Sequence, residues 1–319
     1  RLLAGRESKA AIVLMSSYEE NILRAAKDIA VDLSLRVLGL LKKPFEADDI
    51  IATLELFNET AEEVQGSRSS KLTFSPEGTT ELPSLEDLRG AIENNELEVY
   101  FQPKISLPER VFAGVESLAR WNHPEKGFIP PDYFIPFAEE YGLIGDLTEL
   151  VLEKVCGCCR EWFKNGKIFE VSINVSEKNL NDLNFPETLY DKIENYGLPP
   201  TKFIFEVTES TLSSDHAHVL DVLTRLRLKG FQLSIDDFGT GHSSLARLRR
   251  MPFGELKIDK MFVDGADSDQ ECRVIVRNTV ALARGLELKV VAEGVETEGQ
   301  LDFLWDTGCN VMQGYHFSK

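Results

Sequence analysis

Apolar residues along this 319-residue chain gather into short runs that alternate with stretches of helical spacing. Residues 97–105, 111–118, 169–175, 203–208, 231–236, 255–259, 289–293 and 310–315 have the length and the β-branched or aromatic content of strands. Between most of them, 136–164, 214–229, 270–286 and 297–307 carry apolar positions three and four residues apart, the mark of helices with one buried face. Repeated strand–helix units over roughly 235 residues predict an α/β fold, a (β/α)8 barrel. The first two strands are joined by only a few residues. That suits an antiparallel hairpin and not a helical crossover, so one strand is expected to run against the rest.

The first 60 residues are written differently. A run at 11–15 ends in Ser16-Ser17, helical spacing follows over 19–30, a second run covers 37–41, Lys43-Pro44-Phe45 makes a turn, and 47–58 is again helical. This order resembles the second half of a response-regulator receiver domain, where a Ser or Thr ends the fourth strand and a Lys-Pro pair follows the fifth. Ser16 and Lys43-Pro44 fit those places. The acidic pocket and phosphorylated Asp of that family belong to its first half, so this reading expects further residues before Arg1. A small helical cap accommodates the same short patterns. Residues 61–84, rich in Ser, Thr, Gly, Glu and Pro, read as a linker. The expected organisation is therefore 1–60, a linker at 61–84, and a barrel at 85–319.

Within the barrel region, strand after strand ends in a polar group: Glu116, Asn174, Glu206, Asp236-Asp237, Lys257 with Asp259, Glu293 with Glu296, and Gln313. The C-terminal strand ends of such a barrel meet at one mouth, where active sites form. Ser172 shares its strand face with Asn174, and Ser234 with Asp236. Several carboxylates beside one lysine cannot all stay ionised unless cations sit among them. Oxygen donors with one amide carbonyl suit Mg2+ or Mn2+. Any single strand-end Glu is ordinarily a solvated or salt-bridged group; the repetition is what that explanation fails to cover. Gly239 and Gly241 shape a turn and match no phosphate-binding loop fingerprint.

Composition narrows the function. The formal charge of −18 argues against binding long nucleic acid through a basic face. A small anionic ligand remains admissible if cations or a local Lys/Arg pair cancel the repulsion. No apolar run is long enough to cross a bilayer, and no N-terminal stretch reads as a signal peptide. Three of the five cysteines lie in Cys156-Gly157-Cys158-Cys159, as reduced thiols on a helix, with no second Cys or His pair to complete a zinc site. A cytoplasmic protein is expected.

Glu116-Ser117-Leu118-Ala119-Arg120-Trp121 resembles the signature of the EAL phosphodiesterase family, with Ser in place of the middle Ala. The resemblance continues, in order, through Asn174-Val175-Ser176, Phe205-Glu206-Val207-Thr208-Glu209, Asp236-Asp237-Phe238-Gly239-Thr240-Gly241, Lys257-Ile258-Asp259, Ala292-Glu293-Gly294-Val295-Glu296 and Gln313-Gly314-Tyr315. It implies a modified barrel with an antiparallel strand and hydrolysis of cyclic di-GMP to linear 5′-pGpG. It also implies two Mg2+ or Mn2+ ions, the first held by Glu116, Asn174, Glu206 and Asp236, the second by Asp236 and Asp237. Lys257 and Glu293 are then expected to position or deprotonate the attacking water, and Glu209 and Glu296 to brace the loop after strand 231–236 and the metal shell. Gln102, Leu118, Arg120, Asp259, Glu296 and Gln313 are expected to line the substrate site. A homodimer, and a sensor kinase acting on the receiver-like segment, are the expected partners. His242 departs from the Tyr usual after the second Gly, and the chain stops at Lys319, before the proline-containing segment that usually follows. The competing classes are a cyclic di-GMP receptor that binds without cutting, which typically lacks metal ligands, and an unrelated metal-dependent barrel enzyme, which does not predict Asp236-Asp237 together with Asn174.

Overall fold

A computed structural model describes residues 11–16, 36–42, 83–107, 111–212, 217–240, 245–309 and 311–318. The chain forms two compact units, 1–74 and 75–319. In the first, β1 (Ala11–Ser16) and β2 (Arg36–Lys42) pair in parallel, at the two apolar runs that the sequence marks. The helices expected at 19–30 and 47–58, the Lys43-Pro44 turn and the linker up to residue 82 lie outside the described residues.

The second unit is a closed barrel. Around the ring run β3 (Leu97–Ser106), β4 (Val111–His123), β6 (Glu170–Asn174), β7 (Phe203–Thr208), β8 (Gln232–Phe238), β9 (Glu255–Ile258), β10 (Lys289–Ala292) and β11 (Val311–Met312), which returns to β3. A short β5 (Gly127–Ile129) extends the far end of β4. Strand β3 is antiparallel to both neighbours, while every other ring pairing is parallel. The expected reversed strand is thus β3.

Helices α1 (Leu85–Glu93), α2 (Pro131–Glu140), α3 (Ile144–Lys164), α4 (Phe185–Asn195) and α5 (Ala217–Leu228) precede β8. After it come α6 (Leu245–Leu248), α7 (Lys260–Asp264), α8 (Gln270–Gly285) and α9 (Glu298–Thr307). The helix expected over 136–164 is two, parted where Gly142 adopts a left-handed φ of 73°. The strand expected at 310–315 shrinks to two residues, because Gly314 (φ 153°) brings the backbone so close to Val295 that a Cβ would lie 2.2 Å from its nitrogen.

Each parallel strand is buried on both faces, and the two faces differ in chemistry. Val171, Ile173, Phe203, Phe205, Val207, Leu233, Ile235, Leu256 and Ile258 point outward into one apolar core under the helices. The alternate positions, Ser172, Asn174, Glu206, Ser234, Asp236, Glu255 and Lys257, face the barrel axis. A barrel interior is usually filled by branched apolar side chains; here Ile204 and Val291 share it with charges and hydroxyls. A second, smaller core joins α1 to the mouth end of β4 through Leu88, Ala91, Trp121, Ile129 and Phe134, with Trp121 and Phe134 edge to face at 5.9 Å. No helix among the described residues is long and apolar enough to cross a membrane.

Candidate functional site

The mouth of the barrel is organised around the Lys257 ammonium, which is fully buried. Its Nζ lies 2.5 Å from Glu206 Oε2, 2.6 Å from Glu293 Oε1, 3.0 Å from Asp236 Oδ1 and 3.2 Å from Glu116 Oε2. Strands β4, β7, β8 and β9 deliver four of these five groups, and the turn after β10 delivers Glu293. The Asn174 amide donates to Glu116 Oε1 at 2.9 Å, and that of Gln313 donates to Glu116 Oε2 at 2.5 Å and Glu293 Oε1 at 2.8 Å.

Consecutive strand residues normally face opposite ways, yet Asp236 and Asp237 serve one site. The register between β8 and β9 slips between Ile235 and Phe238, and Asp237 takes a left-handed φ of 54°. Its backbone N–H is held by Asp236 Oδ1 at 3.0 Å. Glu209, buried just after β7, accepts the Gly239 N–H of the loop after β8 at 2.8 Å. Residues Gly241 and His242 of that loop, like Lys319, lie outside the described residues.

Burial and crowding set the charges. Desolvation pushes Asp236 up to about 6, with Glu206 and Glu116 adding to the rise against the pull of Lys257. Asp237 is pushed up to about 7 by desolvation, by the Asp236 charge and by a hydrogen bond with Asp259. Glu293 is driven well above the carboxylate range by burial among its acidic neighbours. Burial acts in the same sense on Glu206, but Lys104 and Lys257 outweigh it and hold this carboxyl at about 2. Lys257 is raised despite its burial, because four carboxylates surround it.

The donor set fits hard divalent cations. Glu116, Glu206 and Asp236 bring oxygens within 4.8 Å of one another, and so do Asp236, Asp237 and Glu293. Asp236 belongs to both groups, as a bridging ligand must. All the donors are oxygens, the preference of Mg2+ and Mn2+.

The other expected residues, apart from Asp259, spread over two recesses beside this cluster. A groove of 870 Å3 runs from Asn174, Glu206, Asp236 and Asp237 along Leu118 and Arg120 to α2. A cavity of 270 Å3 on the other side is lined by Gln102, Glu116, Leu118, Arg120, Glu293, Glu296 and Gln313. Leu118 and Arg120 border both. Asp259 caps α7 through the Met261 N–H at 2.7 Å, and Glu296 pairs with Lys260 at 2.6 Å. Gln313 is more deeply placed than a purely substrate-facing residue, since its amide links two carboxylates of the cluster. Sequence reasoning missed Lys104. It lies inside β3, 2% exposed, with Nζ 2.8 Å from Glu206 Oε1 and 2.6 Å from Ser172 Oγ. Its shared inward parity with Gln102 on β3 was the available signal.

Comparison with known proteins gives a consistent picture. A family model described as EAL domain matches residues 85–319. The cyclic di-GMP phosphodiesterase RocR of Pseudomonas aeruginosa is 35% identical over 317 residues, spanning 99% of this chain and 79% of RocR. The bifunctional diguanylate cyclase/cyclic di-GMP phosphodiesterase MucR of the same organism is 42% identical over 236 residues, which is 74% of this chain and 34% of MucR. The chain thus spans about a third of that relative's length. The solved structure of the PaMucR phosphodiesterase in its c-di-GMP complex matches with a TM-score of 0.71 at 42% identity, covering 74% of this chain and 96% of that one.

Proposed function

This chain belongs to the EAL domain family, and on that premise we propose that it hydrolyses one phosphodiester bond of cyclic di-GMP, giving linear 5′-pGpG, with two Mg2+ or Mn2+ ions. The observation that carries this reading is the pair of acidic triads sharing Asp236 at the barrel mouth. Glu116, Asn174, Glu206 and Asp236 hold the first ion, and Asp236 with Asp237 the second. When bound, such a pair supplies Lewis acidity at the phosphoryl oxygens and a hydroxide nucleophile near neutral pH.

The chain's own groups do the rest. Lys257, held among four carboxylates, orients them and with Glu293 serves to position the attacking water. Glu293 is the group placed to hold or take up a proton. Arg120, on the border of both recesses, is suited to a phosphate oxygen. Two recesses flanking one acidic cluster accommodate a ligand with two bases around its phosphates. Glu209, through Gly239, keeps the Asp236-Asp237 turn in place. The receptor-only reading has less support, because every expected metal ligand is present.

Turnover of cyclic di-GMP with the metal titrated from zero is the test. Formation of pGpG that depends on Mg2+ or Mn2+ is expected; no product at any metal concentration rules the enzyme out. On the same reading residues 1–60 form a receiver-like regulatory segment that acts on a homodimer by shifting populations between states. The RocR similarity covers 99% of this chain and so reaches beyond the barrel into this segment. Deletion of residues 1–80 with activity and oligomeric state unchanged argues against such control.

A further inference from the structure

We propose that Lys104 is a positioning residue that leaves Glu206 a single oxygen to offer a divalent ion, and thereby sets the preference of the site for Mg2+ over Ca2+. The inference rests on the two-metal reading above. It concerns a residue that lies beneath the acidic cluster, not within it.

Lys104 shares the inward parity of Gln102 on β3 and projects into the barrel axis, opposite Gly114 of β4. Its ammonium donates to Glu206 Oε1 at 2.8 Å and to Ser172 Oγ at 2.6 Å, and forms an ion pair with Glu255 Oε1 at 3.6 Å, beyond hydrogen-bond distance. Glu255 is itself anchored from the far end of the barrel by Lys289 at 3.2 Å, which also holds Glu170 at 2.8 Å. Lys104 is therefore fixed from below. Both oxygens of Glu206 are held by ammonium groups, Oε1 by Lys104 at 2.8 Å and Oε2 by Lys257 at 2.5 Å. Lys257 also touches the other carboxylates of the mouth and competes with an ion for them, whereas Lys104 touches only Glu206 among them.

That asymmetry has a chemical consequence. Mg2+ demands near-octahedral geometry at short distance and dehydrates reluctantly, whereas Ca2+ accepts more oxygens and readily takes both atoms of one carboxylate. An ion that displaces Lys257 from Oε2 while the Lys104 ammonium keeps Oε1 meets a Glu206 that cannot chelate. If the ammonium is replaced by an apolar side chain, the second oxygen is released and the larger ion gains a ligand that the smaller one uses poorly. Removing the cation also alters the field at the site. That change acts on both divalent ions alike, so the ratio of their affinities isolates the orientation effect. If Lys104 served only as a counter-charge for Glu255, the ratio would not move.

The experiment is calorimetric titration of the full chain with Mg2+ and, separately, Ca2+, in the wild type, in Lys104→Met, and in Lys104→Met/Glu255→Gln. The double variant removes the carboxylate charge that the single change strands in the barrel, and it decides the matter if the single variant does not fold. The Ca2+ to Mg2+ ratio of Kd values is expected to fall by about tenfold or more, the scale of effect seen for groups that orient metal ligands. An unchanged ratio in a cooperatively melting variant overturns the role of Lys104. A wild type that binds neither ion overturns the two-metal reading itself, a distinguishable result.

Discussion

The Glu209 carboxylate accepts the Gly239 N–H across 2.8 Å and ties the end of β7 to the loop leaving β8. That loop begins with Asp237 in a left-handed conformation, and at Gly239 (φ 105°) a Cβ would meet the Phe262 ring at 2.8 Å. The turn is strained and closely packed, so its shape depends on such ties. Glu209→Ala is expected to lower kcat by about tenfold or more and to raise the metal concentration needed for half-maximal rate, with little change in melting temperature. Wild-type values for both kinetic quantities would remove Glu209 from the site.

Glu116→Ala and Asp236→Ala each take a donor from the acidic triads. Turnover is expected to drop by about 10³-fold or more in each, while circular dichroism stays that of the wild type. Activity retained in both variants contradicts the ligand assignment.

Lys257→Met removes the ammonium that four carboxylates share. Loss of one partner from a buried ionic group costs about 3–5 kcal/mol, so urea unfolding without metal should show a deficit of that order. Divalent ions bind the same oxygens and stabilise the native state by linkage. Added Mg2+ should therefore restore more stability to this variant than to the wild type, although turnover stays lost. An equal Mg2+ effect on the two proteins speaks against a shared set of oxygens.

Asp87 offers a pH prediction away from the site. Its carboxylate accepts from Lys126 Nζ at 2.6 Å and from the Ser84 N–H at 2.7 Å, closing the N-terminus of α1, and the Lys126 hydrogen bond leads in holding it well below the usual carboxylate range. A folded-state value below the unfolded one means that the contribution is present above the unfolded value and is lost as pH falls through the folded one. Asp87→Asn should cost about 1 kcal/mol at pH 7, on the scale of a helix cap at a partly solvated position. The gap to wild type in urea unfolding should narrow as the buffer is taken to pH 3.5 and below. A gap independent of pH excludes the ionised carboxylate as its source.

Much of the barrel could be read from the sequence because its strands carry two codes at once. Phe203, Phe205 and Val207 alternate with Ile204 and Glu206, so apolar content marks the strand and parity marks what faces the axis. The strand-end carboxylates were legible for the same reason. Lys104 was not, since a lysine within a strand usually lies on a solvated face, and only closure of the ring shows that this face is interior. Gln313 was expected at the substrate; its bridge between Glu116 and Glu293 depends on the turn at Gly314, which no local pattern announces. Helices α1 and α4 were not picked out, although Phe185, Leu189 and Ile193 of α4 recur every fourth residue and are buried; both helices are short.

The reversal of β3 decides where the polypeptide enters the barrel. Leu97 pairs with Trp121, at the mouth end of β4, and Ser106 pairs with Val111 at the opposite rim. In an all-parallel barrel the first strand starts on the floor, remote from chemistry. Here the incoming chain arrives on the reacting side, and α1 is packed there against the same β4 that carries Glu116 and Arg120. A pull or twist transmitted through residues 83 and 84 thus reaches the rim of the site after a single helix, without having to pass through the body of the barrel.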